Sequence, residues 1–417
     1  MHYLIIGNGV AGNEVADTLR REAADCEITL ISQEKYPEYS ACALPDCLAG
    51  WAVKDKLFLK TEEEYKKTNI KISFSETALA INRKDKEVLT SARKIAYDKL
   101  FIATGSRALV PPLKGTKLTG NFVLKSMDDL EMLEKAEVKR LVVVGSGNIG
   151  IEVAEAMHLK GCEVSIIELI DRIMPKIFDH KASQILEKKI KETGVEVLTS
   201  EKVEEILGEG KVEGVKTDRR IIDCDGVVWA VGVRQNTEIA KEAGLEVGKF
   251  GGISVDSKMR TSDSEIFACG DCVETFDMLT GEPTLSLLWP SARGQARVAA
   301  LNALGQEANY EGAFSVVMED IFGLPATSLG KTASSIAEDQ IKIIETENND
   351  SYHQIILEND VFAGYQNIGN PEGAGSMMFM IKNKKTLAEL HQTLLNHDLV
   401  KRMPHYITAG KLCGIQI

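Results

Sequence analysis

Two glycine-rich turns, each placed between an apolar run and a helical pattern, constrain this sequence more than any other feature. The first turn follows the apolar residues 3–6, and the second follows residues 141–144. A strand, a glycine turn and a helix in this order form the unit that binds a dinucleotide. A single GxGxxG is weak support, because tight turns also use glycine for steric reasons. Two copies in the same context predict two nucleotide-binding units in one chain.

Each glycine of such a turn has its own task. The first allows the tight turn, the second lets the backbone approach a pyrophosphate, and the third permits close packing of the helix. The helix N-terminus adds N–H groups and a favourable dipole for phosphate. The residues predicted to contact nucleotide in the two turns are Gly7, Gly9, Val10, Ala11, Gly12, Gly145, Gly147, Asn148, Ile149 and Gly150. The alternative is that the turns only connect a strand to a helix.

The residue at the end of the next strand predicts which nucleotide is used. In the second unit the predicted strand 163–167 ends directly at Glu168. A carboxylate there accepts hydrogen bonds from ribose hydroxyls and repels a 2′-phosphate, so NADH is expected to be preferred over NADPH. In the first unit the strand 27–31 leads to Ser32, and we assign the ribose contact to Glu34, two residues further on.

Composition excludes several classes of protein. The 44% apolar and 27% charged residues are ordinary for a globular chain, and 49 Lys and Arg against 62 Asp and Glu give a net charge of −13. Such a charge disfavours nucleic acid as a partner. No apolar stretch approaches the roughly 18 residues of a membrane span, and no basic leader precedes the first turn, so a cytoplasmic protein is expected.

No metal site is expected. The seven histidines show no ligand spacing. Cys269 and Cys272 form a single C-x2-C pair, which cannot fill a tetrahedral zinc site without further ligands.

Further motifs occur in a recognisable order around the two turns. They are Ala103, Thr104, Gly105, Gly232, and the run 267–271 with Gly270 and Asp271. Together with Glu168, they resemble the pyridine nucleotide-disulfide oxidoreductase superfamily over about residues 1–310. The resemblance implies FAD and NAD(H) as cofactors, with the flavin and nicotinamide rings meeting between two domains. It also implies an enzyme, an FAD-dependent NADH oxidoreductase.

The fold class implied is α/β, with two Rossmann-like domains and a C-terminal α+β domain. The FAD-binding domain is expected at residues 1–111 and 250–309, and the NAD-binding domain at 112–249. Residues 310–417 are expected to form an interface or dimerisation domain. Such a domain is compatible with a homo-oligomer.

The resemblance also assigns roles to single residues. The position of Asp271 binds the flavin ribityl chain, and that of Glu152 lies beside the nicotinamide. For Glu152 the alternative is a solvated helix face. The other residues implied to contact a cofactor are Pro45, Ala78, Ala103, Thr104, Gly105, Gly232 and Gly270. A helix opening at Pro290 is expected to point its N-terminus at the flavin N1 and C2 carbonyl region, where negative charge develops.

Cys42 stands where NADH oxidases, peroxidases and coenzyme A disulfide reductases of the superfamily carry a redox cysteine. Its spacing to Cys47 also equals that of the disulfide in glutathione reductase-like members. The flanking Gly-Gly-Thr pattern of those dithiol enzymes is absent, and His405 lacks their His-Pro pattern. Three interpretations stay open: Cys42 is redox-active, Cys42 and Cys47 form a disulfide, or both cysteines only contribute to packing.

The electron acceptor is expected to be a separate protein. The segments 39–45 and 321–325 are similar to NADH-dependent flavoproteins such as NADH:rubredoxin reductases and oxidoreductases associated with carbon monoxide dehydrogenase. The chain has no iron-sulfur ligand pattern of its own, so such a centre belongs to a partner. A basic group near the C-terminus is expected to attract an acidic redox protein, although it also fits a solvated helix face: Lys382, Lys384, Lys385, Lys401 and Arg402.

Two other functions remain as alternatives. One is a Cys42-dependent NADH oxidase, peroxidase or coenzyme A disulfide reductase. The other is a non-enzymatic, flavin-bearing scaffold subunit.

Overall fold

The computed structural model describes residues 1–348 and 351–390 and is a mixed α/β structure. The helices in these residues are α1 (Val10–Glu22), α2 (Leu44–Ala49), α3 (Glu62–Lys67), α4 (Met127–Lys135), α5 (Asn148–Leu159), α6 (His180–Glu192), α7 (Glu238–Glu242), α8 (Trp289–Ala303) and α9 (Ala374–Lys382). Three short 3-10 turns lie at Ala41–Ala43, Lys54–Leu57 and Ala333–Ser335.

The strands of the described residues are numbered in chain order. They are β1 (His2–Ile6), β2 (Glu27–Ile31), β3 (Lys71–Ser73), β4 (Ala78–Asn82), β5 (Glu87–Thr90), β6 (Lys94–Ala96), β7 (Lys99–Ile102), β8 (Ser106–Ala108), β9 (Asn121–Phe122), β10 (Arg140–Val144), β11 (Glu163–Ile167), β12 (Glu196–Leu198), β13 (Val203–Leu207), β14 (Gly214–Thr217), β15 (Ile221–Asp223), β16 (Gly226–Trp229), β17 (Val233–Gln235), β18 (Ile253–Ser254), β19 (Ile266–Ala268), β20 (Val273–Phe276), β21 (Pro283–Thr284), β22 (Val316–Ile321), β23 (Leu324–Gly330), β24 (Ile341–Glu347), β25 (Ser351–Glu358) and β26 (Val361–Gly369).

The chain divides into two compact units, each built from three segments. The first unit comprises Met1–Leu109, Lys125–Leu130 and Val233–Ala313. The second comprises Val110–Leu124, Glu131–Gly232 and the described residues from Phe314 onward. The residues after 313 therefore share a unit with the second glycine turn. The assignment of residues 1–111 with 250–309, 112–249 and 310–417 to FAD, NAD and interface domains stays a prediction.

The first unit is built on a parallel sheet with the strand order β19-β7-β1-β2-β3. Its central strand, β1, is buried from Tyr3 to Ile6, as expected for a strand covered on both faces. On one side lies a core formed by α1 and α8, with the stacked rings of Phe101 and Phe267 at its centre. The other side is covered by a core that includes Ile81 and Val88 of the strands β4 and β5. The first glycine turn, which follows β1, therefore begins at the middle of the sheet.

The second unit repeats this plan. Its parallel sheet has the order β12-β11-β10-β16-β9, with the second glycine turn after the central strand β10. Each unit also contains a three-stranded antiparallel meander, β4-β5-β6 in the first and β13-β14-β15 in the second. In α/β sheets of this kind, ligands bind at the carboxyl ends of the central strands. The two turns occupy that position in their units.

The second unit also holds an antiparallel sheet of five strands in the order β22-β23-β26-β25-β24. Strand β26 is buried along nearly its whole length, and α9 packs against it. The sheet lies beside α5 through β22. Strand β22 therefore places side chains next to the helix that follows the second glycine turn.

The elements expected from the sequence are confirmed. The strands 27–31 and 163–167 have the predicted bounds. The helix expected from Pro290 to about residue 304 begins one residue earlier, at Trp289. Strands β25 and β26 pair antiparallel along most of their length. None of the described helices is both long enough and apolar enough to cross a bilayer.

Candidate nucleotide-binding and redox sites

The first glycine turn is tightly packed at two glycines and open at the third. A Cβ on Gly7 would lie 2.1 Å from the Ala103 carbonyl oxygen, and Gly7 has a φ of +112° that favours glycine. A Cβ on Gly12 would lie 1.9 Å from the Gly7 oxygen. A Cβ on Gly9 would meet nothing within 4 Å. The space above Gly9 is therefore available to a ligand.

The second glycine turn is likewise tightly packed at its first and third glycines and open at its second. A Cβ on Gly145 would lie 2.5 Å from the Ala230 oxygen, and one on Gly150 would lie 2.1 Å from the Gly145 oxygen. Gly147 again faces open space. The three tasks predicted from the sequence match the surroundings of the three glycines in both turns. Binding of a nucleotide by these residues stays a prediction.

The helices that follow both turns begin without a side-chain cap. Gly9 is the N-cap of α1 and Gly147 that of α5, and neither helix has an acidic residue in its first turn. Their first N–H groups are left for an external acceptor, which a pyrophosphate supplies. These open starts fit FAD at the first turn and NAD(H) at the second.

Glu168 is buried and bound to the second glycine turn. Its Oε2 accepts a hydrogen bond from the Ser146 N–H at 3.0 Å and another from the Ser146 hydroxyl at 2.6 Å. Its Oε1 accepts from the Ile170 N–H at 2.9 Å. The carboxylate is held in one orientation at the end of β11, where a ribose contact is predicted.

Glu34 lies in an exposed stretch after β2. Its Oε2 accepts a hydrogen bond from the Tyr39 hydroxyl at 2.8 Å. Its backbone carbonyl also accepts from the Ser32 hydroxyl at 3.0 Å. Unlike Glu168, Glu34 shows no hydrogen bond to the glycine turn of its unit in the contacts described here, and its ribose contact stays a prediction.

Asp271 is joined to two residues that the sequence did not reveal. The Ser106 hydroxyl donates to its Oδ2 at 2.7 Å, and the Lys125 ammonium lies 3.0 Å from the same oxygen. Gly270, just before it, has a φ of +84° and donates its N–H to Gln295 at 2.8 Å. The aspartate is thus oriented through Oδ2. Its predicted role toward the ribityl chain remains untested.

The Ala-Thr-Gly segment after β7 is fixed by Asn236. The Thr104 hydroxyl donates to the Asn236 carbonyl at 2.6 Å, and the Asn236 side chain returns a bond to the Thr104 carbonyl at 2.9 Å. The Asn236 N–H donates to the Gly105 carbonyl at 3.0 Å. Asn236 was missed by the sequence analysis, and it keeps the end of β7 in place beside Gly7.

The helix α8 packs along α1 through ion pairs. Glu14 of α1 is 6% exposed, and its two oxygens bind Arg293 at 2.6 Å and Arg297 at 3.1 Å. The N-terminus of α8 has no side-chain cap and no acidic residue in its first turn. Its first N–H groups are therefore suited to an external negative charge, and their direction toward the flavin stays a prediction.

Cys42 and Cys47 lie in different surroundings. Cys42 is exposed in the 3-10 turn Ala41–Ala43, whereas Cys47 is buried in α2. Pro45 lies in the first turn of α2 and is buried. Cys42 is thus the more accessible residue of the two. Redox activity of Cys42 and the alternative disulfide are not tested by this geometry.

The remaining residues predicted to contact a cofactor lie in strands, turns and helix starts. Ala78 begins β4 opposite Thr90, and Gly232 has a φ of +108° with open space beside it. Glu152 is half-buried on α5. Val10 is half-buried and Ile149 exposed, while Ala11 is buried; all three lie in first helical turns. Their contacts with nucleotide stay predictions.

Asn148, the first residue of α5, directs its side chain to a residue that the sequence analysis did not single out. Its Nδ2 donates to Oε1 of Glu319 on β22. Burial raises the pKa of Glu319 to about 7, and the hydrogen bond from Asn148 opposes this shift. A half-buried acid thus lies beside the start of the second nucleotide helix.

The basic group is partly neutralised within the protein. The Lys385 ammonium pairs with Glu389 at 3.1 Å, while Lys382 is exposed and lies 5.8 Å from the Phe314 ring centre. Lys384 is exposed. Lys401, Arg402 and His405 lie outside the described residues. Within the part of the chain that the structure describes, no group of three His, Cys, Asp or Glu side chains is arranged for a metal.

Comparison with known proteins identifies the family. The model for the pyridine nucleotide-disulphide oxidoreductases matches residues 1–296. The chain belongs to this family. The oxidoreductase is also 36% identical over 356 residues to an NADH oxidase of Methanocaldococcus jannaschii, a match that covers 82% of this chain and 79% of that protein.

Solved structures agree in fold. The NAD-dependent persulfide reductase from A. fulgidus superposes with a TM-score of 0.89 at 30% identity, covering 94% of this chain and 79% of the other. The ferredoxin reductase for the CYP199A2 system of Rhodopseudomonas palustris superposes with a TM-score of 0.87 at 26% identity, covering 97% and 100%. The predicted α/β fold class, the NAD(P)H oxidoreductase class and the cofactor pair FAD and NAD(H) are confirmed.

Proposed function

We propose that this oxidoreductase transfers electrons between NAD(H) and a separate redox protein through a bound FAD. The partner class is an iron-sulfur protein such as a ferredoxin or rubredoxin. The observation that carries the proposal is the repeated glycine turn, with Gly9 and Gly147 each facing open space at an uncapped helix start. FAD bound at the first turn would supply the redox chemistry between a two-electron hydride donor and the acceptor.

The residues of the first unit hold and orient the flavin. The first N–H groups of α1 bind its pyrophosphate, and the open face of Gly9 lets the phosphates approach. Asp271, oriented by Ser106 and Lys125, would accept hydrogen bonds from the ribityl hydroxyls. The N-terminus of α8 stabilises negative charge on the flavin ring.

The residues of the second unit select and hold NADH. The start of α5 binds the pyrophosphate, and Glu168 accepts hydrogen bonds from the ribose hydroxyls. Because Ser146 holds the Glu168 carboxylate in place, a 2′-phosphate would meet a fixed negative charge. NADH is therefore preferred over NADPH. We assign Glu152, half-buried on α5, the role of positioning the nicotinamide.

A protein acceptor is supported by the match to a ferredoxin reductase over 97% of this chain. We assign docking of an acidic partner to the basic group at Lys382, Lys384 and Lys385. Charge reversal of the two exposed members, Lys382→Glu with Lys384→Glu, should lower the association rate with ferredoxin or rubredoxin and flatten its salt dependence. Reduction of ferricyanide by NADH should stay unchanged.

A matched control for this test is Lys188→Glu on α6, whose side chain is 79% exposed. The control should leave the association rate near the wild-type value. An unchanged rate and salt slope in the double variant, with a protein acceptor that the enzyme reduces, would remove the basic group from the docking surface.

A second candidate function rests on the exposure of Cys42. Relatives named NADH oxidase and NAD(P)H coenzyme A polysulfide/persulfide reductase match this chain at 36% and 30% identity. An exposed thiol in the first unit is accessible to oxygen-derived or sulfur substrates. In this alternative Cys42 is oxidised and reduced in each turnover.

The variant Cys42→Ser separates the two candidates. The acceptors to compare are ferredoxin, rubredoxin, oxygen, peroxide and coenzyme A disulfide, with Cys26→Ser as the matched control because Cys26 is half-buried. Retained reduction of a protein acceptor in Cys42→Ser supports the first proposal. Loss of nearly all turnover with every acceptor, with FAD still bound, supports the thiol mechanism instead.

A further inference from the structure

The contact between Asn148 and Glu319 leaves two buried atoms without a partner. Asn148 Nδ2 donates to Glu319 Oε1, while Asn148 Oδ1 and Glu319 Oε2 are both buried and have no hydrogen-bond partner in the structure. Both atoms are acceptors when the acid is ionised. Two buried acceptors without donors are costly, and such groups are uncommon in folded proteins.

A single proton on the Glu319 carboxyl group gives both of these atoms a hydrogen-bond partner. A primary amide and a protonated carboxyl group can pair face to face, with the amide N–H donating to one carboxyl oxygen and the carboxyl O–H donating to the amide oxygen. The first of these two bonds is present. The second needs only a proton on Oε2 of Glu319, directed at Oδ1 of Asn148.

We propose that Glu319 is a positioning residue, held as a neutral acid by a two-bond pair with Asn148, and that this neutral pair permits dinucleotide binding at the start of α5. The inference rests on the proposed function of the second glycine turn. An ionised Glu319 would place a negative charge beside the helix start that is to receive a pyrophosphate, and would repel it. The neutral form removes that repulsion while keeping the Asn148 side chain fixed.

The elements that pack around Glu319 carry no permanent cation that would favour its ionised form. On α5 the titratable side chains are Glu152, Glu155 and His158, and on β22 the only other one is Asp320. Strand β23, which pairs with β22, has none. No Lys or Arg occurs on these three elements. The titratable groups on α5, β22 and β23 are therefore carboxyl groups and one histidine, and none of these elements supplies a permanent cation to Glu319.

The packing of β22 on α5 keeps the pair together. The Phe322 N–H donates to Glu155 Oε2 at 3.1 Å, and the Phe322 ring lies 6.3 Å from the His158 ring. Burial raises the pKa of Glu155 as well, with the Asp320 charge adding to the shift. Several contacts besides the Asn148 bond thus fix the position of β22 along the helix.

The test compares wild type with Glu319→Gln. A glutamine can form the same two bonds with Asn148 and does not titrate. Affinity for NAD⁺, which does not reduce the flavin, is measured by calorimetry on the FAD-loaded protein between about pH 5.5 and about pH 8.5. Wild type should lose affinity as the pH rises through about 7, by up to about tenfold per unit of pH, whereas Glu319→Gln should show a flat profile.

Stability gives a readout that does not depend on the nucleotide. The pKa of Glu319 is raised in the folded state, so its contribution to stability is present at low pH and is lost as the pH rises through about 7. The Tm of Glu319→Gln relative to that of wild type should therefore rise with pH up to about 7 and level off above it. Glu163→Gln is the matched control, because it removes an exposed carboxylate at the start of β11, in the same unit, and should keep the wild-type profile.

The outcomes distinguish failure of nucleotide binding at the second glycine turn from failure of the neutral Glu319–Asn148 pair. If NAD⁺ binds at no pH while the Tm difference is present, the proposed function of the turn fails and the acid–amide pair stands. If Glu319→Gln keeps the wild-type pH dependence of both NAD⁺ affinity and Tm, the neutral acid is refuted. A pH-dependent infrared band of a protonated carboxyl group, absent from Glu319→Gln, would confirm the protonation state directly.

Discussion

Glu168 accepts two hydrogen bonds from Ser146, one from the N–H at 3.0 Å and one from the hydroxyl at 2.6 Å. The acidic residue at the end of β11 is thereby attached to the glycine turn that follows β10. A carboxylate that is already fixed needs little reorganisation to bind a ribose. It also cannot turn away easily from a 2′-phosphate, so this contact bears directly on the choice of nucleotide.

Replacing Glu168 should weaken the preference for NADH over NADPH. In Glu168→Gln the shape is kept and the charge is lost, so the ratio of kcat/KM for NADH over NADPH should fall by about tenfold, or about 1.4 kcal/mol. The control is Glu163→Gln, at the exposed opposite end of β11. Steady-state kinetics with both nucleotides checks the prediction, and an unchanged ratio in Glu168→Gln would count against a ribose role for this residue.

Asp271 should be needed to retain the flavin. The variant Asp271→Asn keeps an oxygen for Ser106 but loses the charge opposite Lys125 and one acceptor for a ribityl hydroxyl. The Kd for FAD should rise by about tenfold. Flavin absorbance after gel filtration measures the retained fraction, with the exposed Asp85→Asn as control. Equal retention in both variants would show that Asp271 does not hold FAD.

The two open glycines allow a matched pair of tests. Gly9 and Gly147 have negative φ values of −76° and −72°, so alanine fits the backbone, and its methyl group would occupy only the space left for phosphate. Gly9→Ala should fold and lose FAD. Gly147→Ala should keep FAD and raise the KM for NADH by about tenfold.

Gly12→Ala provides the contrast, because its methyl group would lie 1.9 Å from the Gly7 oxygen. This variant should fold poorly, as judged by its Tm, whereas the other two should melt near the wild-type temperature. If Gly9→Ala and Gly147→Ala bind both cofactors normally, the pyrophosphates do not lie over these glycines.

The local parts of the fold could be predicted from the sequence. Strands such as 163–167 are short apolar runs that end at turn residues, and the surroundings of Gly7, Gly9 and Gly12 follow from the strand-turn-helix order. The strand bounds and the Gly12 contact with the Gly7 oxygen depend on residues that are close together in the chain, whereas the Gly7 contact with Ala103 depends on the pairing of β1 with β7. The physical causes of the strand bounds and of the Gly12 contact are therefore visible without the structure.

The side chains that hold the predicted residues in place could not be predicted. Lys125 is 146 residues from Asp271, and Glu319 is 171 residues from Asn148. Neither residue belongs to a motif, and each pair forms only because the fold brings distant segments together. The sequence located Asp271 and Asn148, whereas only the structure gives the partners that set their orientation and, for Glu319, a raised pKa.

The central claim is that NADH reduces an FAD held by this chain, and anaerobic titration of the purified protein with NADH tests it most directly. The account predicts a yellow protein whose flavin absorbance is bleached rapidly by about one equivalent of NADH per FAD, since each hydride carries two electrons. The control is Gly147→Ala, which should be bleached only at higher NADH concentration. A protein that carries a full complement of FAD and keeps its absorbance when NADH is added would contradict the claim and favour a flavin-bearing scaffold.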